Sequence, residues 1–230
     1  MPRVLGLIPA KAGSTRLPGK NILPVGGKSM LARAGEALTD SGVCDRVVVS
    51  TEDEGVANVA RALGLDVPFL RPMNLARDPA GVVQVALHCL EILQGQGEFY
   101  DTLVITLPTS PFRTSEHVRD AYRHYCEVGA QFLMSVSAYD HTPFAALKSE
   151  DGVLTPWFPD YFGRKSQEMP AAFRPDGALH VLDVPAFVKA GTYFGQPLYA
   201  YEMPWPCGTD IDTPADLAIA EALVQAGVAR

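Results

Sequence analysis

Two short stretches of this chain concentrate side chains suited to phosphate chemistry. The first, Ala10-Lys11-Ala12-Gly13-Ser14-Thr15-Arg16-Leu17-Pro18-Gly19-Lys20-Asn21, gathers three cations, two glycines and two hydroxyls in a chain of net charge −7. Glycines let backbone N–H groups approach phosphate oxygens, and Lys and Arg neutralise them. A triphosphate suits such a loop; the plainer reading, a solvated basic loop, leaves the glycines beside the charges unexplained. The second stretch is Asp210-Ile211-Asp212. On extended backbone, residues two apart face the same side, so both carboxylates reach one hard cation. Mg²⁺ is typically held by one or two carboxylates together with substrate phosphates. The plainer reading is an acidic helix start favoured by the helix dipole, which describes Asp216.

Two familiar phosphate motifs are absent. A Walker A loop needs four residues between its glycines, whereas five separate Gly13 from Gly19, and Lys20 precedes Asn21. No G-x-G-x-x-G dinucleotide fingerprint occurs either.

The elements that must hold these stretches follow from hydrophobic patterning. Val4–Pro9 is an apolar run leading directly into the cationic loop, and further strands are expected at Arg46–Ser50, Val67–Leu70, Thr102–Leu107 and Phe132–Ser137. Helical periodicity fits Ser29–Leu38, Glu52–Leu63, Ala80–Leu93 and Ser115–Glu127. Strands rich in Val, Ile and Leu, each followed by a helix, imply a parallel sheet covered on both faces. In such sheets ligands bind beyond the carboxyl ends of the strands, where the cationic loop lies. The rhythm breaks between about Tyr139 and Pro175, where four prolines accompany Trp157, Phe158, Tyr161 and Phe162. This stretch reads as an irregular excursion or as an inserted flap or dimerisation arm. Gly177–Leu182, Leu198–Glu202 and a last helix at Pro214–Gln225 complete the pattern, with Thr213 as N-cap and Pro214 at the first helical position.

With 230 residues, 47% of them hydrophobic, the chain reads as a single α/β domain, 1–230, whose segment at about 139–195 contains the flap or dimerisation subregion. The acidic balance argues against a nucleic-acid partner, and no apolar run is long enough to span a bilayer. Cys44, Cys89, Cys126 and Cys207 form no C-x-x-C pair; with no signal peptide at the start, they are expected to be reduced thiols of a cytoplasmic protein.

Ile8–Asn21 resembles the signature loop of the acylneuraminate cytidylyltransferases, the CMP-sialic acid synthetases and their relatives. Further blocks resemble that family in its order: Val48–Asp53, Leu70-Arg71-Pro72, Pro108–Arg113, Ala172–Gly177 and Asp210–Leu217. The resemblance implies a Rossmann-like three-layer α/β/α fold of the nucleotide-diphospho-sugar transferase type, with a mainly parallel sheet and a small inserted arm. It also implies attack of a sugar's anomeric hydroxyl on the α-phosphorus of CTP, Mg²⁺ at Asp210 and Asp212, and a homodimer. Lys11, Gly13, Ser14, Arg16, Lys20, Asn21 and Arg71 are then expected to bind nucleotide. Lys20, Asp210 and Asp212 are expected to be catalytic. Thr109, Ser110, Arg174, Tyr193 and Phe194 are expected around an acidic sugar, with the planar fork of Arg174 matched to its carboxylate.

The chain departs from the family pattern at Lys11, where Arg is usual, at Leu107, where Gln is usual, and at Ala145-Ala146, where a Lys is common. These changes alter which hydroxyls and amides can be paired. Legionaminic, pseudaminic and deaminated nonulosonic acids therefore stand beside sialic acid as expected substrates. The alternatives are CMP-Kdo synthesis, since Ser14–Lys20 is very like that branch, and a metal-dependent glycosyltransferase using a nucleotide sugar.

Overall fold

The computed structural model of the protein describes residues 2–229, for Ser166 the backbone only. The chain runs β1 (Val4–Pro9), β2 (Pro24–Val25), β3 (Lys28–Ser29), α1 (Met30–Thr39), β4 (Arg46–Ser50), α2 (Glu54–Ala62), α3 (Val82–Gly95), β5 (Thr102–Ile105) and α4 (Ser115–Glu127). It continues with β6 (Phe132–Ala138), β7 (Leu147–Glu150), β8 (Val153–Pro156), β9 (Phe173–Asp183), α5 (Val184–Ala190), β10 (Leu198–Glu202) and α6 (Pro214–Gln225). The helix starts follow local chemistry: the side chains of Ser29, Asp53, Thr114 and Thr213 each accept a backbone N–H of the first turn.

The main sheet has the order β10-β6-β9-β5-β1-β4. β1 pairs in parallel with β4 and β5, and β10 pairs in parallel with β6. β9 is antiparallel to both of its neighbours, β5 and β6. One face packs Ile8, Val49, Val104 and Leu179 against α1, α2 and α4. The other packs Leu5, Leu7, Leu103 and Leu182 against α3 and against Phe187 of α5. The three-layer, mainly parallel architecture is as expected. Among the described residues no helix is long and apolar enough to cross a membrane.

Three local expectations are corrected. Val67–Leu70 is not a strand: only isolated bridges link Asp66 to Val48 and Leu70 to Thr51, and Pro68 between them has no N–H for a ladder. The segment after Tyr139 is less irregular than its prolines suggest. It contains the β7–β8 hairpin, closed by Asp151 and Gly152 at φ 50° and 82°, the left-handed pair that an Asp-Gly hairpin turn requires. β9 also starts four residues before the expected Gly177. Its ladder with β6 shifts register between Met134 and Val136, and Gly177 at φ 71° lets the strand bulge there and continue. The short helix α5, capped by Asp183, is not legible in the sequence, because seven residues carry too little periodicity to stand out.

Candidate active site

The cationic loop and the Asp-Ile-Asp segment are brought together by apolar residues inside each polar motif. Leu17 and Ile211 are both buried in one small core with Val25, Met30, Phe112 and Ala220. Each contributes about 2 kcal/mol by leaving water, and their shared burial turns the flanking charges toward each other. Arg16 Nη2 donates to Asp212 Oδ2 at 2.6 Å, and Lys20 Nζ donates to Asp212 Oδ1 at 2.6 Å. The Thr109 loop after β5 joins them, since its carbonyl accepts the Ile211 N–H at 2.8 Å.

The two carboxylates are held differently. Desolvation by the surrounding loops pushes the Asp210 carboxyl above the usual range although its side chain keeps contact with solvent; a hydrogen bond from Thr109 offsets this, and the charge of Asp212 adds to it. At Asp212, desolvation acts in the same direction but is outweighed by the hydrogen bond and charge of Lys20 and by Arg16, so that carboxyl lies below the usual range. Asp216 spends its oxygens on the helix start, accepting the N–H groups of Asp212 and Thr213 at 3.1 and 2.8 Å. It is the acidic residue of the helix start expected, at the third position after the Thr213 cap.

Two cavities meet at this point. The first, of about 180 Å³, is lined by Lys11, Lys20, Asn21, Arg71, Ala80, Gly81, Leu107 and Thr109, with apolar walls from Leu75, Val82 and Val85. The second, of about 400 Å³, is lined by Ser137, Asp140, Arg174, Glu202, Trp205 and Asp210. Thr109 belongs to one and Asp210 to the other, and the cavities adjoin where the Thr109 carbonyl accepts the N–H of Ile211, next to Asp210. Arg174 stands at the carboxyl edge of the sheet because β9 runs antiparallel there, opposite Ser137 near the end of β6.

The remaining expected residues differ in how they are placed. Asn21 is buried and donates from Nδ2 to the Lys11 carbonyl at 2.8 Å, which closes the loop on itself. Ser14 Oγ accepts the Leu17 N–H at 3.3 Å. A Cβ on Gly13 would meet nothing within 4 Å, so this glycine leaves open space and is not demanded by the chain's own packing. Ser110 is fully buried and its hydroxyl donates to the Asp176 carbonyl at 3.2 Å, on the interior side of the loop. Arg71 lines the smaller cavity, but its guanidinium is bound by Glu52, with Nη2 at 2.6 Å from Oε2. Tyr193 and Phe194 are not brought to either cavity within this chain. Their rings meet tilted, with centroids 4.5 Å apart, and Tyr193 lies against His180 at 4.6 Å.

Sequence reasoning does not single out three buried polar side chains as functional. Glu52 accepts both the Arg71 guanidinium and the Ala12 N–H, the latter at 2.8 Å. Arg113 donates to the carbonyls of Leu107 and Ala178 at 3.2 and 2.8 Å, and burial pushes its guanidinium down to about 10. Asp176 accepts the hydroxyls of Ser135 and Ser137 and the Ala178 N–H. Each sits in a block that resembles the family, but nothing in the sequence separates a buried charge from an exposed one.

The chain is 30% identical over 226 residues, 97% of each chain, to CMP-N,N'-diacetyllegionaminic acid synthase of Legionella pneumophila. It is 29% identical to pseudaminic acid cytidylyltransferase of Campylobacter jejuni over 95% of each chain. Its fold matches that of a CMP:2-keto-3-deoxy-manno-octonic acid synthetase complexed with CTP, with a TM-score of 0.72, 16% identity and coverage of 98% of this chain and 99% of that one. The family model described as cytidylyltransferase matches residues 5–162. The chain belongs to the cytidylyltransferase family and is a nucleotidyltransferase, not a glycosyltransferase.

Proposed function

We propose that the protein transfers the cytidylyl group of CTP to a nonulosonic acid, giving a CMP-sugar and pyrophosphate. One observation carries this reading: a cation-lined cavity that includes Thr109 and an Arg174-lined cavity that includes Asp210 adjoin where the Thr109 carbonyl accepts the N–H of Ile211, the residue after Asp210. The nucleotide occupies the first, with its base between Leu75, Val82 and Val85 and its phosphates toward Lys11, Lys20 and Arg16. The acidic sugar occupies the second, its carboxylate on Arg174. Legionaminic and pseudaminic acids fit the departures at Leu107 and Ala145-Ala146, and the relatives bearing those names match this chain over nearly its whole length.

The donor set suits Mg²⁺. Asp210 and Asp212 are two hard carboxylates on one segment, a donor set whose shell substrate phosphates would complete. Desolvation and the charge of Asp212 both raise Asp210, and a divalent cation between the two carboxylates would offset both. Asp210 and Asp212 would hold the ion, which when bound polarises the α-phosphate and lowers the pKa of a coordinated hydroxyl. The protein's own groups do the rest. Lys20 and Arg16 keep Asp212 ionised in the free enzyme and exchange that carboxylate for phosphate oxygens, offsetting charge on the departing pyrophosphate. Arg174 and the Thr109 loop hold the sugar hydroxyl in line with the α-phosphorus.

The same reading makes the protein a homodimer of the cytoplasm, where CTP is available. The arm supports a dimer: Val153, Leu154, Trp157 and Phe162 expose 64%, 61%, 60% and 58% of their surface on one segment. A second copy would also bring Tyr193 and Phe194 to a neighbouring sugar cavity, which they do not reach in their own chain.

Pyrophosphate release from CTP and Mg²⁺, measured against legionaminic, pseudaminic, sialic and deaminated nonulosonic acids and Kdo, tests the proposal. Release with a nonulosonic acid, abolished by chelator, is the expected result. Release with Kdo alone, or silence across the panel, refutes it.

A further inference from the structure

Glu52 and Arg71 form an ion pair that is almost completely removed from solvent, their side chains only 5% and 2% exposed. Oε2 of Glu52 accepts Arg71 Nε at 3.1 Å and Nη2 at 2.6 Å. The remaining guanidinium nitrogen, Nη1, donates to the Ser50 carbonyl at 3.3 Å. The other carboxylate oxygen, Oε1, leaves the pair and accepts the backbone N–H of Ala12 at 2.8 Å. One side chain thus ties two segments far apart in sequence, the cationic loop after β1 and the turn at Arg71-Pro72. Both segments line the smaller cavity, the first through Lys11 and the second through Arg71.

Burying two charges is weak evidence for stability, because desolvation consumes most of the attraction. A buried pair of this kind is better explained by geometry that apolar packing would not enforce. We propose that Glu52 is a positioning residue for the nucleotide. It fixes the start of the cationic loop against the Arg71 turn, and it holds Arg71 through Nε and Nη2 so that this cation is a rigid wall of the base and ribose end, not a triphosphate ligand. The phosphate charge then falls to Lys11, Arg16 and Lys20. The inference rests on the cytidylyl-transfer reading of the site.

Glu52→Gln is the direct test. The amide that replaces the carboxylate retains an oxygen for the Ala12 N–H but directs an NH₂ at the guanidinium, which unlocks the turn. The expected result is a KM for CTP raised on the order of 10-fold, matched by weaker CTP binding in calorimetry, with the KM for the sugar acid unchanged. If Arg71 is instead a triphosphate ligand, freeing it tightens CTP binding, and a lowered KM overturns the proposal. A purely structural role lowers the melting temperature and the active fraction while leaving the KM for CTP at the wild-type value, which also overturns it. Should Glu52→Gln not fold, the neutral double variant Glu52→Gln/Arg71→Met removes the unpaired buried charge. Restored folding with a still-raised KM for CTP supports the proposal, and a wild-type KM refutes it. Wild-type protein that does not bind CTP refutes the cytidylyl reading and this inference together. Wild-type binding matched by an unaffected Glu52→Gln refutes the inference alone.

Discussion

Substituting alanine for Gly208, a glycine in the wall of the Arg174-lined cavity, should disable the enzyme through steric contact. A Cβ there would lie 1.9 Å from Ser137 Oγ and 2.9 Å from Asp176 Oδ2. A carbon–oxygen contact relaxes only at about 3.3 Å, so one partner must move by roughly 1.4 Å. Ser137 Oγ donates to Asp176 Oδ2 at 3.0 Å, and Asp176 is buried. Rotating that hydroxyl away removes a hydrogen bond to a buried charged group, a loss of about 2 kcal/mol. Moving the loop instead displaces Asp210, two residues on, by a distance that typically costs about 100-fold in rate. Gly208→Ala should therefore lose about 2 kcal/mol in urea denaturation and about 100-fold in turnover by pyrophosphate release. Ser137→Ala removes the closest contact, so the double variant should recover at least about 10-fold of the lost turnover. A Gly208→Ala enzyme with wild-type kcat, or a double variant no faster than the single, would refute the reasoning.

Other perturbations probe the two cavities and the strand between them. Asp212→Asn should retain the melting temperature and lower kcat by about 1,000-fold, the scale for losing a main electrostatic contributor; near-normal turnover with Mg²⁺ would remove Asp212 from the centre. Arg174→Ala should raise the KM for the sugar acid about 10-fold or more with the KM for CTP unchanged. An unaltered sugar KM would end that assignment. His180 concerns stability: burial pushes its imidazole down to about 4, and neither ring nitrogen has a hydrogen-bond partner. The unfolded chain takes up this proton near pH 6.5 and the folded one near pH 4, so the contribution is complete above pH 6.5 and is lost as the pH falls to 4. The loss amounts to about 3 kcal/mol. His180→Phe should lack it, and urea midpoints that track wild type in parallel from about pH 7.5 to 4 would contradict this origin.

What the sequence discloses and what it hides divide along physical lines. Helix starts are legible because a cap acts within three residues, as Ser29 does on Ala32 and Thr213 on Asp216. Buried strands such as β1 and β4 are legible because both faces are apolar. The position of β9 between β5 and β6 is not, since nothing local distinguishes an antiparallel insertion from one more parallel strand. The turn at Asp151-Gly152 is readable by its residue types, but the surrounding prolines and aromatics favour an irregular reading of the segment.

The site shows the same division more sharply. Lys20 and Asp212 are 192 residues apart, and neither predicts the other by charge alone, because acids and bases are scattered throughout the chain. Their meeting depends on Leu17 and Ile211, apolar residues inside polar motifs whose burial in one core is what aligns the two loops. Chemistry-bearing residues are therefore easier to find than their environment. The motif that supplies Arg71 is visible in the sequence, whereas the carboxylate that holds it lies 19 residues earlier in a segment that reads as the start of a helix. Whether a cation is a ligand or a wall depends on that partner. For this reason Arg71, conspicuous in the sequence, has less freedom to bind phosphate than Lys11, the position at which the loop departs from the family pattern.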